Sequence, residues 1–447
     1  MSVRTFWQEL RPRPAVALIG AKGSLWTAAG MASSTGAGFA AIVVLVALSK
    51  PAAFADLAVL TIVVRVLSTL FRFGADKIFV GEYHAALATK GRRYSRAVGA
   101  GVLSFSILGG VMGGAILLLP QVAHAMSIAL TSPLTPSERA SLGIWIASDT
   151  VRFVASEGHR ARYSFVLAAV GGYGARAPIF LAMLLVLHAR HIDLNRGTLL
   201  LSAATASGVV CVIALGSASV TYDWWKHNPL RSVRRLVGGH VANLLSTLAA
   251  ILIGGSDVWI IGATMGAKTT ASYAFSVQMV AGLSVLSSAI AGGLLPHIAQ
   301  GLAARDSAAV ERRVIRYVRF TSMLATVGYI GIAVLAPLIA LHFGGRGYSG
   351  TLPLILILGG GQVLSTAAGL SGSVLTVARR YLVTTIIAVG VAVYAVALEA
   401  GSAYGLHQLL LVAVVSGSST VLLPMITNMA LARMLGIRTD FLARVGR

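Results

Sequence analysis

The sequence predicts an all-α polytopic membrane protein, with about twelve transmembrane helices in two six-helix bundles related by a parallel pseudo-two-fold repeat. Three observations predict it. First, the 447-residue chain is 56% hydrophobic and only 11% charged, whereas soluble domains carry about 25% charge. Second, apolar runs long enough to cross a roughly 30 Å hydrocarbon core recur along the whole chain, and mean hydropathy is +0.82. Third, basic residues concentrate in every second gap between those runs. This composition excludes a soluble enzyme, a disordered chain and a secreted disulfide scaffold. Cys211 is the single cysteine, so no intramolecular disulfide forms, and it reads as a core thiol.

Taken in order, the first span covers residues 25–49; it is too long for a signal peptide, and about two dozen residues precede it. The second covers 54–76. The third, 97–119, carries the pairs Gly109-Gly110 and Gly113-Gly114, which read as close helix packing. The outside gap at 120–140 has room for a small interfacial turn at most. Spans four (141–159) and five (164–188) carry charges and are separated by little more than a turn. The sixth, 198–220, is followed by Trp224-Trp225, an interfacial anchor, and by a basic stretch. Residues 222–236 are read as a cytoplasmic linker between an N-terminal bundle, 1–221, and a C-terminal bundle, 237–447. Spans seven to twelve follow at 237–262, 270–295, 318–342, 351–377, 381–400 and 404–432. Within the tenth, Gly359-Gly360-Gly361 reads as packing or as a flexible point.

The formal charge is +22. On a soluble protein this would suggest nucleic acid, but position removes that reading. Of the 36 Lys and Arg, 26 lie at the N-terminus, the C-terminus or the even-numbered gaps, including Lys90, Arg92, Arg93, Arg96 and Arg312, Arg313, Arg316. Six lie on the other side: Lys50, Arg139, Arg190, Arg196, Lys268 and Arg346. The positive-inside rule places both termini in the cytoplasm, and the chain is expected in a bacterial inner membrane.

The remaining four, Arg65, Arg72, Arg152 and Arg176, fall inside spans of the first half. An Arg at a span centre costs about 2.5–3.5 kcal/mol on insertion scales, so each needs a partner or a wet cavity. Arg65 and Arg72 are seven residues apart, which returns the side chain to within about 20° on a helix; Ser68, Thr69 and Asp76 extend the same face. As a substrate site these guanidinium groups suit phosphate oxygens, because they bind bidentately and stay charged. The competing reading is internal pairing, of Arg72 with Asp76 at i+4 and of Arg152 with Asp149 at i−3. Three acids, Asp149, Glu157 and Asp257, are candidates for coupling transport to H+ or Na+; Glu157 can equally pair with Arg160, and Asp257 across the bundle interface. Asn243, Gln278 and Gln362 read either as interhelical hydrogen bonds or as substrate contacts. No phosphate loop ends in Lys-Ser or Lys-Thr, and His and Cys do not cluster at metal spacing, so no enzyme, cofactor or metal site is expected.

Several stretches resemble polysaccharide flippases. Ser256-Asp257-Val258-Trp259-Ile260-Ile261-Gly262 followed by Ala271-Ser272-Tyr273-Ala274 is similar to their D-x-x-h-h-G…Y-x-x-A pattern, where h is apolar. Pro296-His297-Ile298-Ala299, Phe343-Gly344-Gly345-Arg346-Gly347-Tyr348 and Gly74-Ala75-Asp76 fit the same family. The resemblance covers essentially the whole chain and is clearest from about 240 to 380. It points to the Wzx-type branch of the multidrug/oligosaccharidyl-lipid/polysaccharide exporter superfamily. That implies two six-helix bundles in a V, alternating access, and translocation of undecaprenyl-pyrophosphate-linked oligosaccharides for exopolysaccharide or O-antigen synthesis. It also implies cationic cavity residues in the first bundle, and a polysaccharide polymerase and chain-length regulator as partners. One departure is that the family often has an Arg in span 1, and this chain has none between Lys22 and Lys50. Two alternatives stand beside it: a multidrug/cation antiporter on the same fold, which would favour acidic cavity residues, and a membrane polysaccharide polymerase, which would need a larger outside loop.

Overall fold

The computed structural model describes residues 14–220, 222–223, 225, 229–303, 306–344, 348, 350–378, 380–406 and 408–441. Several sequence-predicted features lie outside these residues: Arg4, Arg11, Arg13, Trp224, Lys226, Arg305, Arg346, Arg379, Arg444 and Arg447. The same holds for the side chains of Lys22, Lys77, Glu82, Arg231, Arg234, Arg235, Pro296 and His297.

Helices α1 (Pro14–Leu48) and α2 (Pro51–Arg72) carry the first two spans. Pro51 occupies the first turn of α2, where its missing N–H costs nothing. Helix α3 (Ala75–Ala115) carries the third span and bends at Gly91 (φ 79°, ψ −179°). A whole two-turn helix, α4 (Pro120–Ser127), then occupies the outside gap where a turn was predicted; Pro120 starts it. The fourth span is α5 (Pro136–Ala161), opened by a capping box in which Thr135 and Glu138 satisfy each other's backbone N–H groups.

The fifth span is broken. A short helix α6 (Phe165–Ala169) leads through a π-turn at Val170–Gly174 into α7 (Arg176–Ala189), with a 50° bend. The sixth is α8 (Arg196–Ser219). In the second half, α9 (Pro229–Ile253) and α10 (Ser256–Thr264) form the seventh span, bent by 48°. It is followed by α11 (Ala267–Ala303), α12 (Ser307–Ile339), α13 (Thr351–Ala368), α14 (Ser371–Val377), α15 (Tyr381–Ala400) and α16 (Leu409–Leu435). No strand occurs among the described residues. Among the described residues, eight helices are long and apolar enough to cross a membrane alone, and up to ten spans result when each bent pair counts as one. The two other predicted spans coincide with α5, which carries charges, and α11.

Packing differs at the two ends. At the end away from the basic gaps, one apolar core joins both halves, from Ile42, Phe54 and Leu60 to Ile261, Phe275 and Leu354. The Tyr348 ring sits 6.0 Å from Phe54 and 5.9 Å from Phe275 there. At the basic end the cores are separate, one around Phe79, Tyr83, Val154 and Tyr222, the other around Ile298, Val314, Val374 and Ile437. Glycines let α3 approach its neighbours as predicted. A methyl on Gly109 would strike the Phe71 carbonyl, and one on Gly114 would lie 2.8 Å from the Gly143 carbonyl. In α13, Gly361 meets Gly417 and Gly359 meets the Tyr329 ring, while Gly360 faces open space.

Candidate functional site

The four in-span arginines of the first half occupy distinct environments. Arg72 is buried, 3.2 Å from Asp76, donates to Thr69 Oγ1 at 3.0 Å, and stands over the Phe153 ring at 4.7 Å. Arg152 is buried and held by several groups. Its Nε donates to Asp149 Oδ1 at 2.7 Å, and its Nη1 donates to the carbonyls of Gly171 and Gly172 at 3.1 and 2.7 Å. Those carbonyls are freed by the π-turn of the fifth span, so Arg152 satisfies backbone groups that no lipid could satisfy. Both pairs expected from helical spacing are therefore formed.

Arg65 and Arg176 differ. Arg176 opens α7; its Nη1 is 3.9 Å from Asp149 Oδ2, beyond hydrogen-bond range, and its guanidinium lies over the Trp145 ring at 4.7 Å. Its side chain is 28% exposed. Arg65 is exposed, yet within electrostatic reach of Asp149 and Arg176. Because Asp149 is buried at the centre of the first half, Arg65 faces inward rather than to lipid. Three guanidiniums, Arg65, Arg152 and Arg176, thus lie within electrostatic reach of one carboxylate, Asp149, for a local charge of +2. The start of α7 adds the positive end of a helix dipole beside Arg176. Such a cluster, with two guanidiniums free to donate, can hold a doubly charged anion. Glu157 is 2.7 Å from Arg160 near the basic end, away from this cluster.

In the second half, Asp257 is buried, and among the described residues no cation forms an ion pair with it. Its Oδ2 accepts from Tyr273 Oη and Ser416 Oγ, both at 2.7 Å, and its Oδ1 from the Val258 N–H at 2.7 Å. The partner across the bundles is thus replaced by neutral donors of its own half. Sequence reasoning missed Glu399, fully buried at the end of α15 and within electrostatic reach of Asp257. The overlooked signal was a lone acid in an otherwise uncharged span. Ser256 Oγ lies 2.7 Å from both Leu252 O and Glu399 Oε2. A hydroxyl has one hydrogen, and Leu252 O only accepts. The Ser256 hydroxyl is thus shared between the Leu252 carbonyl and the Glu399 carboxyl. Glu399 Oε1 has no partner among the described residues. Of the amides, Asn243 accepts through its backbone from Ser246 and Thr247, and Gln362 from Thr366.

A third cluster ties the end opposite the basic gaps. Arg196 at the start of α8 bonds Glu138 at 2.8 Å through each of Nε and Nη2, Asp56 Oδ2 at 3.1 Å, and the Ser132 and Pro133 carbonyls. Burial alone would push the Glu138 carboxyl up, but the hydrogen bonds from Arg196 and Thr135 win and hold it below its ordinary 4.5.

Comparison with known proteins adds to this geometry. The family described as "polysaccharide biosynthesis protein" matches residues 179–353. No curated protein matches the chain. Among solved structures, a MOP superfamily transporter from Pyrococcus furiosus, described as having a binding pocket of reverse polarity, is 12% identical with a TM-score of 0.68, over 96% of this chain and 97% of that one. A multidrug resistance MATE family transporter is similar in its outward-facing form (13% identity, TM-score 0.64, 96% and 98% covered) and its inward-facing form (12%, 0.66, 94% and 98%). The chain is an all-helical membrane protein with the fold of the MATE transporters, and its residues 179–353 match a polysaccharide biosynthesis family.

Proposed function

We propose that the protein translocates undecaprenyl-pyrophosphate-linked oligosaccharides from the cytoplasmic to the periplasmic leaflet of a bacterial inner membrane by alternating access. The observation that carries this reading is the cluster of Arg65, Arg152 and Arg176 around Asp149. Its charge of +2 complements a pyrophosphate diester, which carries two negative charges. Guanidinium groups recognise phosphate oxygens in pairs. A half-helix N-terminus at membrane depth beside an anion site is a recurrent transporter device. The shared core at one end and separate cores at the basic end suit a chain whose cavity opens to the cytoplasm in this conformation. The polysaccharide biosynthesis match and the MATE fold support the same reading.

Coupling to an ion is assigned to Asp257 with Glu399. Both acids are buried and are hydrogen-bonded to neutral groups, Tyr273, Ser416 and Ser256. Asp149 and Glu157 are engaged by arginines and are poorer carriers. A cation antiporter on this fold would need its acids facing the cavity. Here Asp257 is 1% and Glu399 0% exposed, while Arg176 and Arg65 are reachable, which favours an anionic cargo.

The test is deletion of the gene in its own host, followed by complementation. Undecaprenyl-linked oligosaccharide accumulating on the cytoplasmic side, cleared by wild type and not by Arg65→Ala or Arg176→Ala, is the expected result. Unchanged lipid-linked intermediates with altered drug resistance would overturn it.

A further inference from the structure

Trp145 is a physical anomaly in the core of the first half. It is 1% exposed, and it is among the largest fully buried side chains. Its indole N–H finds no hydrogen-bond acceptor among the described residues. An unbonded buried N–H is a net cost, and an apolar ring filling the same space would avoid it. Packing alone therefore disfavours tryptophan at this position.

What indole supplies and phenyl or leucine does not is the strongest π-face for a cation. The Arg176 guanidinium lies 4.7 Å from the Trp145 ring centroid. Among the described residues its one carboxylate partner, Asp149 Oδ2, is 3.9 Å away, beyond hydrogen-bond range, while Asp149 Oδ1 is committed to Arg152 at 2.7 Å. Stacking leaves the N–H groups at the guanidinium edge free, whereas a close carboxylate would occupy them. A ring beneath the guanidinium thus sets its plane without consuming its donors.

We propose that Trp145 is a positioning residue for anion recognition: it holds Arg176 by its ring face, in an orientation that leaves the guanidinium edge open to the pyrophosphate of the substrate. The inference rests on the function proposed above and names the residue that tunes the site. The tryptophan trades stability for a preorganised cation. Arg152, clamped by Asp149, Gly171 and Gly172, is the fixed charge; Arg176 is the one presented to the ligand.

The experiment uses the full-length protein in detergent with farnesyl pyrophosphate as the probe. Calorimetric titration gives affinity, and thermal unfolding gives stability, for wild type, Trp145→Phe, Arg176→Ala and the double variant. The expected result is a several-fold loss of affinity in Trp145→Phe with an unfolding temperature equal to or above wild type. In the Arg176→Ala background, Trp145→Phe then causes no further loss, because the ring acts through that guanidinium. A Trp145→Phe protein that binds the probe as wild type does, while Arg176→Ala binds weakly, overturns the role of Trp145 and leaves the anion site standing. So does a loss that persists in full when Arg176 is absent. Unaltered binding by Arg176→Ala overturns both.

Discussion

Asp149 divides its two oxygens unequally: Oδ1 is 2.7 Å from Arg152 Nε, and Oδ2 is 3.9 Å from Arg176 Nη1. One carboxylate thus neutralises one arginine fully and only partly restrains the second. The two arginines should fail in different ways when removed.

For Arg152→Leu, the loss is structural. Asp149 is left buried without its pair, and the Gly171 and Gly172 carbonyls lose their donor. Removing one partner of a buried pair costs about 3–5 kcal/mol. Thermal unfolding of the purified variant should show that loss, with little folded protein in the membrane. Arg176→Leu, whose ion pair is long and partly exposed, should cost under about 1 kcal/mol and still abolish polymer export. Equal stability of the two variants would contradict the division.

Glu399→Gln removes the titratable proton while keeping a similar side-chain shape beside Ser256. The variant should insert and unfold like wild type, while transport in vesicles loses its dependence on a proton gradient. Glu399→Ala leaves a cavity and should be less stable by about 1–3 kcal/mol. A Gln variant that still responds fully to the gradient would remove Glu399 from the coupling step.

The Arg196 clasp sets an acid limit. Glu138 lies in the first turn of α5, three residues before the apolar run at 141–159, with a folded pKa below the ordinary 4.5. A carboxyl so depressed contributes stability that is complete above the unfolded value and is lost as pH falls through the folded one. Melting temperature should therefore fall below about pH 4.5 more steeply in wild type than in Glu138→Gln. Parallel curves would show that the clasp does not report on pH.

Gly369 has φ 106°, and a methyl there would run into the Thr439 carbonyl. Gly369→Ala adds backbone strain of about 1–3 kcal/mol and expels the segment whose Phe441 N–H bonds the Ala367 carbonyl at 2.8 Å. Faster proteolysis after Leu435 is the expected readout; wild-type protection would argue that the segment adapts.

The sequence carried the long-period features well. All twelve apolar runs coincide with helices, because membrane depth fixes their length independently of tertiary context. The glycine pairs of α3 were legible for a similar reason, since two helices can meet backbone to backbone only at small residues. The breaks in spans five and seven were not legible. Gly171-Gly172 and Gly254-Gly255 resemble packing glycines until a neighbour such as Arg152 is seen taking the freed carbonyls. Asp257 stands out inside its span, whereas Glu399 lies at the edge of one, next to Ala400-Gly401-Ser402. In the structure a π-turn at Gly401–Gly405 continues α15 past it, and Glu399 is fully buried. The bond from Arg196 to Asp56 spans 140 positions and has no periodic trace.

The π-turn at Val170–Gly174 joins the two arginines mechanically as well as electrically. It hands its carbonyls to Arg152 and launches α7 from Arg176, so neither cation can shift without disturbing the other. Helix α7, 14 residues and about 21 Å long, then acts as a lever. A pivot of about 10° at the turn would carry its far end by about 4 Å. On the proposed function, an anion bound at Arg176 is thereby geared to displacement near Ala189, at the far end of the helix.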